Sequence, residues 1–223
     1  MGEGLPSFLP KLFADKAGSG CHLHLSLWRD GQNALPDPQG AGRLSAAGRA
    51  FVAGLLRHLP ALMALTTPSV NSYRRIRPHA WSGAFRCWGV DNREATVRVP
   101  SDPAGQGATH IELKTVDATA NPYLALGAVV AAGLDGIRRG LDPSAPVQTD
   151  PGSLPESERS ARGIDPLPQS LDAALKHLEE DEVLLGVLGS DLARAFLAIR
   201  RAEWEALKGL TLEDEVRLLR ERY

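Results

Sequence analysis

The sequence predicts an α+β fold, a small sheet flanked by helices and followed by a helical C-terminal tail. Three observations predict it. The segments 21–28, 93–99 and 109–115 alternate apolar and polar residues with period two, the pattern of strands with one buried face. The segments 45–65 and 121–141 are apolar at helical spacing, and each opens on a capping residue, Ser45 or Asn121. Residues 171–223 carry amphipathic helical patterning to the end of the chain.

Taken in order, residues 1–17 read as an extended lead-in. A glycine turn, Gly18-Ser19-Gly20, then opens the first alternating segment. Cys21, Leu23, Leu25 and Leu27 fall on one face, and His22, His24, Ser26 and Trp28 on the other. Glycines there let backbone approach a bound ligand closely. Residues 29–43 read as a loop from their Gly, Pro, Asn and Asp content. Ser45 caps a helix that Pro60 breaks or kinks, with a further turn over 61–65. The loop 68–81 carries Arg74, Arg75 and Arg77 beside Tyr73, His79 and Trp81; it reads either as a solvated basic loop or as an anion-binding one. Phe85–Trp88 is a short strand and 89–92 a turn. The second alternating segment turns Ala95, Val97 and Val99 inward and Glu94, Thr96 and Arg98 outward. After a loop over 100–107, the third turns Ile111 and Leu113 one way, and His110, Glu112 and Lys114 the other.

Asn121 and Pro122 open a helix through Leu141, apolar on most sides and therefore deeply packed. Residues 142–170, rich in Pro, Ser, Gly and Asp, form a surface excursion. The tail holds three helices, at about 170–179, at about 190–208 and from Thr211 onward, with Phe196 and Trp204 as core residues. The organisation is thus a core over 1–141, a connector over 142–170 and a helical part over 171–223 that belongs to the same domain.

Composition narrows the function. The 223 residues can bury a real core, and 43% hydrophobic and 23% charged residues are ordinary for a globular protein. A net charge of −2 with no basic run gives no footprint for nucleic acid. No apolar stretch approaches the length of a membrane span. The N-terminus lacks the pattern of a signal peptide, and Pro6 spoils the myristoylation pattern. Cys21 and Cys87 read as reduced, buried residues of a cytoplasmic protein.

Two histidines at i and i+2 are too few for a zinc site, and on a wet sheet face they can be simply polar. What distinguishes this chain is that three strands present His22, His24, Arg98, Glu112 and Lys114 on polar faces of what reads as one sheet. Imidazoles and a carboxylate beside fixed cations suit a site that joins a hard metal ion to phosphate groups.

The motifs Gly18-Ser-Gly-x-His-x-His, Asn71-Ser-Tyr-Arg-Arg, Asp91-Asn-Arg93, Ile111-Glu112 and Asn121-Pro-Tyr-Leu-Ala, followed by Ala132-Gly-Leu-Asp-Gly-Ile, come in one order and spacing. Together they resemble the C-terminal catalytic region of the glutamine synthetase family, which includes γ-glutamyl-amine ligases. The resemblance implies a curved, largely antiparallel sheet flanked by helices and an ATP- and Mg²⁺- or Mn²⁺-dependent ligation. In such a reaction the γ-carboxylate of a glutamate-like acid is phosphorylated and an amine displaces phosphate. By the same resemblance His22 and Glu112 match metal ligands, and His24 and Ser26 the nucleotide side. Gly18 matches a backbone position near the substrate amino group, Arg75 the arginine that grips the substrate carboxylate, and Arg93 and Arg98 the arginines on the phosphates. It further implies a homo-oligomeric ring with active sites between subunits.

The departures carry information. Trp81 stands where glutamine synthetases place a flap glutamate; an indole cannot take a proton from ammonium but can wall off a larger amine. Lys114 stands where an arginine contacts the γ-carboxylate, keeping charge but losing the bidentate fork, and His110 replaces a phosphate-facing arginine. The expected substrate amine is therefore not ammonia. Nothing before Met1 corresponds to the family's small domain, so the chain alone is expected to be inactive. The alternative is a non-catalytic truncated paralogue that serves as an assembly or regulatory partner.

Overall fold

The computed structural model describes residues 6–101 and 109–222. The loop assigned to 100–107 therefore lies, from residue 102 on, outside the described residues. The sheet is built from β1 (Leu23–Leu25), β4 (Trp88–Val90), β5 (Val97–Val99) and β6 (Ile111–Leu113), in the order β1-β6-β5-β4. β1 and β5 both pair antiparallel to β6, while β4 runs parallel to β5. The sheet is thus mostly antiparallel, as expected. The parallel edge pair is joined by only residues 91–96, where a left-handed Asp91 (φ 53°) and a turn in which Asn92 Oδ1 accepts the Glu94 N–H fold the chain back. The edge strand is Trp88–Val90 rather than Phe85–Trp88; Phe85 makes a lone bridge to Pro166 instead. The segment 29–43 is not all loop. β2 (Trp28–Arg29) and β3 (Gln32–Asn33) form a hairpin around Asp30-Gly31, both with positive φ, as a two-residue Asp-Gly turn requires.

Two long helices pack on each other, and the first of them also meets the sheet at β5. α1 (Ala46–Thr66) starts at Ser45, whose side chain accepts the Gly48 N–H. Pro60 does not end it. The residues after Pro60, Ala61 to Leu65, are all buried, so packing on every side outweighs the one hydrogen bond that proline removes. Thr66 and Thr67 close the end by donating their hydroxyls to the carbonyls of Leu62 and Met63. α3 (Pro122–Arg139) is capped by Asn121 Oδ1, which accepts the Tyr123 and Leu124 N–H groups, and stops at a left-handed Gly140. Its Gly136 lies against Gly54 of α1: a Cβ on either would sit within 3 Å of the other's backbone. α3 is not apolar-packed on most sides. Ala125, Ala128, Val129 and Ala132 are buried, while Leu126, Val130 and Leu134 stay substantially exposed.

The excursion over 142–170 is stitched to the β4 edge instead of floating in solvent. Val147 N–H donates to the Trp88 carbonyl, Asn92 Nδ2 to the Val147 and Thr149 carbonyls, and Leu167 N–H to the Ala84 carbonyl. It contains a short helix, α4 (Glu156–Ala161). The tail holds four helices among the described residues, not three: α5 (Leu171–Glu179), α6 (Glu182–Leu188), α7 (Ser190–Leu207) and α8 (Leu212–Leu219). The extra one, α6, is opened by Asp181, whose side chain accepts the Leu184 N–H. α8 is held by Glu215, which is fully buried and takes Arg74 and Asn71 as partners. Phe196 is buried and Trp204 packs against the core. Both cysteines are free, but only Cys87 is buried; Cys21 is exposed, because β1 is an edge strand and begins beyond it. No helix among the described residues is long and apolar enough to cross a membrane.

Candidate active site

The pairing register builds the site. His24 of β1 stands opposite Glu112 of β6, which stands opposite Arg98 of β5. Side chains directly across antiparallel strands share one face, and residues two apart along a strand share it too, so His22, His110 and Lys114 join the same face. A slip of one residue would send all of them to the other side. His22 Nδ1 lies 2.9 Å from Glu112 Oε1, and His24 Nε2 lies 3.8 Å from the same oxygen. The His24 and His110 rings are 5.0 Å apart.

Glu112 is 4% exposed, and its charge state is set by its neighbours. Burial pushes its carboxyl up, but the hydrogen bond with His22 and the charges of Arg98, Lys114 and His22 outweigh it and hold the group below its ordinary range. Burial pushes His24 down, and the neighbouring His110, Arg98 and His22 add to this against the pull of Glu112. Arg98 Nε pairs with Glu112 Oε2 at 2.7 Å, both atoms buried, without directing its N–H at the oxygen. Glu112 thus carries both an imidazole and a guanidinium against its carboxylate. With the His22 imidazole it fits Mg²⁺ or Mn²⁺ as part of a coordination shell. Among the described residues no third His, Cys, Asp or Glu side chain completes a metal site.

Lys114 is buried, and its Nζ donates to the Arg93 carbonyl. Burial lowers its pKa, opposed chiefly by Glu112 and only partly by Glu94. Arg75 comes from α2 (Ser72–Arg75), and its Nη2 donates to the carbonyls of Lys114 and Val116, which ties the arginine loop to the end of β6. Gly18 and Gly20 are there to admit this side chain. A Cβ on Gly18 would meet the Arg75 stem at 2.6 Å, and one on Gly20 would lie 2.9 Å from His22 Nε2 and 3.0 Å from Arg75 Nη1. The guanidinium therefore looks toward His22 across a glycine, with Nε buried and unbonded. Asp117, fully buried behind it, is raised by burial and countered by its bond from Thr119 and the charge of Arg75.

The segment 76–83 is a pinned loop. His79 and Trp81 both adopt left-handed backbone conformations (φ 59° and 53°), which cost bulky residues about 1–2 kcal/mol each. Tethers hold them there: His79 Nδ1 to Asp150 at 2.7 Å, Ser82 Oγ to the Arg77 backbone, and the Trp81 N–H to Glu94 Oε1 at 3.0 Å.

Of the residues singled out in the sequence, His22, His24, Arg98, Glu112 and Lys114 come together, with Gly18 and Arg75 beside them. Ser26 lies past the end of β1, exposed, and accepts the Trp28 indole N–H at 2.8 Å. Arg93 is exposed and meets the group through its carbonyl. Trp81 stands on the pinned loop. Sequence reasoning passed over Glu94 and Asp117; the only available signal was a carboxylate beside an arginine motif, too common to single out.

The family model described as "Glutamine synthetase, catalytic domain" matches residues 4–219. The chain belongs to the glutamine synthetase family. It is 37% identical to type-1 glutamine synthetase 1 of Dictyostelium discoideum over 98% of its length and 43% of that protein's. It is 42% identical to the gamma-glutamylpolyamine synthetase GlnA3 of Streptomyces coelicolor, over 92% of its length and 44% of that protein's. Among solved structures, a novel glutamine synthase homolog superposes with a TM-score of 0.82 at 38% identity, covering 97% of this chain and 48% of that one. The GmaS/ADP complex superposes with a TM-score of 0.80 at 38% identity, covering 95% and 48%. The chain thus spans under half the length of these relatives of the glutamine synthetase family.

Proposed function

We propose that this chain is the catalytic part of an ATP-dependent ligase that joins a glutamate-like acid through its γ-carboxylate to an amine other than ammonia. One observation carries the reading: His22, Glu112, Arg98 and Lys114 converge on one face of the sheet, with the Glu112 carboxylate between the imidazole and the guanidinium at their centre. His22 and Glu112 would hold Mg²⁺ or Mn²⁺, which when bound supplies charge neutralisation at the nucleotide phosphates. Arg98 and Arg93 stabilise charge that builds up as the phosphoryl group moves, His24 and Ser26 take the nucleotide side, and Gly18 and Arg75 fix the acid by its backbone-like end. Trp81, and the relative named as a polyamine synthetase, support an organic amine as nucleophile.

Two candidate ligands do not fill a coordination shell, so the purified chain is expected to turn over no ATP by itself and to act with further polypeptide in a ring-shaped homo-oligomer of the cytoplasm. A second reading, a non-catalytic assembly partner, is favoured by Lys114, which offers no bidentate fork and spends one of its three N–H donors on the Arg93 carbonyl. Titration of Mn²⁺ and a non-hydrolysable ATP analogue, followed by electron paramagnetic resonance, separates the two. The ligase reading expects His22→Ala and Glu112→Gln each to weaken Mn²⁺–nucleotide binding at least ~10-fold. Wild-type protein that binds neither ligand would support the assembly partner.

A further inference from the structure

A second constellation lies outside the Glu112 cluster. Trp81 is 64% exposed, yet the loop that carries it is tethered at His79, Trp81 and Ser82, so the indole is presented to solvent on a fixed support. The tether at Trp81 is Glu94, whose Oε1 accepts the Trp81 backbone N–H, and among the described residues the other oxygen takes no hydrogen bond. No lysine, arginine or histidine among the described residues forms an ion pair with that carboxylate. Lys114 directs its Nζ to the Arg93 carbonyl next door. Glu94 itself is rigid: its N–H is taken by Asn92 Oδ1, and Asn92 is in turn bonded to the Val147 and Thr149 carbonyls.

We propose that Trp81 and Glu94 form a receptor for the ammonium end of an alkyl diamine or polyamine substrate, a proposal that rests on the amine-ligase reading above. A carboxylate without an ion-pair partner among the described residues, bonded to the backbone of an exposed tryptophan, is a pair that can recognise an organic cation, one by charge and the other by its ring face. The nitrogen that attacks an activated acyl group must be neutral, whereas this pair holds a charged one. The nitrogen held is therefore not the nitrogen that reacts, and the substrate carries two.

The test is calorimetric titration of 1,4-diaminobutane into the full chain, with sodium chloride of matched ionic strength as control. Glu94→Gln and Trp81→Ala are each expected to weaken binding about tenfold, with Glu94→Asp and Trp81→Phe retaining most of it. Thermal unfolding of every variant verifies the fold. Equal affinity in wild type, Glu94→Gln and Trp81→Ala overturns the proposal, and so does the absence of diamine binding at millimolar concentration. The same preparations are titrated with Mn²⁺ and the ATP analogue. Intact nucleotide binding with Glu94-independent diamine binding sinks the receptor alone, whereas lost nucleotide binding sinks the ligase reading.

Discussion

Replacing His58 by leucine removes a buried cation that joins three helices. His58 of α1 is 4% exposed, with Nδ1 2.6 Å from Asp181 at the start of α6 and Nε2 3.1 Å from Asp135 of α3. Both ring nitrogens face carboxylates, so the ring satisfies both only when protonated. Burial pushes its pKa down, but the bonds to Asp181 and Asp135 and their charges outweigh it and raise the value above the ordinary 6.5. The two carboxyls are pushed up by burial and pulled lower still by their partners, Arg139 and His58 for Asp135, His58 and backbone N–H groups for Asp181. Each hydrogen bond to a charged group contributes about 1.5–3 kcal/mol, and stranding one partner of a buried pair costs about 3–5 kcal/mol. Asp135 keeps Arg139 and Asp181 keeps the Leu184 N–H, so the loss sits at the low end, about 3 kcal/mol. For a chain of this size that lowers the melting temperature by roughly 6–12 °C. The contribution is full below pH 6.5 and fades as pH rises through the raised value of His58; at the acid end it fades as pH falls below 3.8 through the lowered values of the two aspartates. Urea unfolding followed by circular dichroism at pH 5.5 and pH 9 reads both effects. A loss under ~1 kcal/mol at pH 5.5, or the same loss at both pH values, refutes the charged lock.

Gly54→Ala raises helix propensity by about 1 kcal/mol yet should destabilise by at least ~2 kcal/mol, since its Cβ would lie 2.2 Å from the Ala132 carbonyl oxygen and force α1 and α3 apart; urea unfolding checks it. Glu215→Leu should free α8, because it leaves Arg74 and Asn71 without their buried partner; limited proteolysis should then cut between α7 and α8 while the rest of the chain resists. A thiol reagent at pH 8 should label Cys21 at once and Cys87 only after denaturation, since burial pushes the Cys87 thiol up to about 12. Rapid labelling of both cysteines would contradict the packing of β4.

The arrangement of the candidate site shows where local reading stops. The period of two is covalent geometry, so the polar faces of 21–28, 93–99 and 109–115 could be read from residues alone, and with them His22, His24, Arg98, Glu112 and Lys114. Capping follows local hydrogen bonding, so Ser45 and Asn121 began their helices as expected. Pro60 was expected to break or kink the helix before a further turn; it does not break it, because its cost is local, whereas the buried residues on all sides of α1 that override it are distant in sequence. The excursion over 142–170 has the composition of a loop, and composition does not reveal that its backbone donors find Trp88 and Ala84.

By itself, then, the sequence determined which residues are polar neighbours along each strand, where helices start, and to which family the motifs point. Tertiary structure alone decided that β6 lies between β1 and β5, that Glu94 reaches back to Trp81, that Glu215 anchors α8, and that His58 sits between two aspartates. The physical reason is one of range. Alternation and capping are enforced by bonds a few residues long, while a partner ninety residues away, as Glu112 is from His22, is chosen by which packed arrangement buries the most apolar surface and leaves the fewest polar groups unpaired.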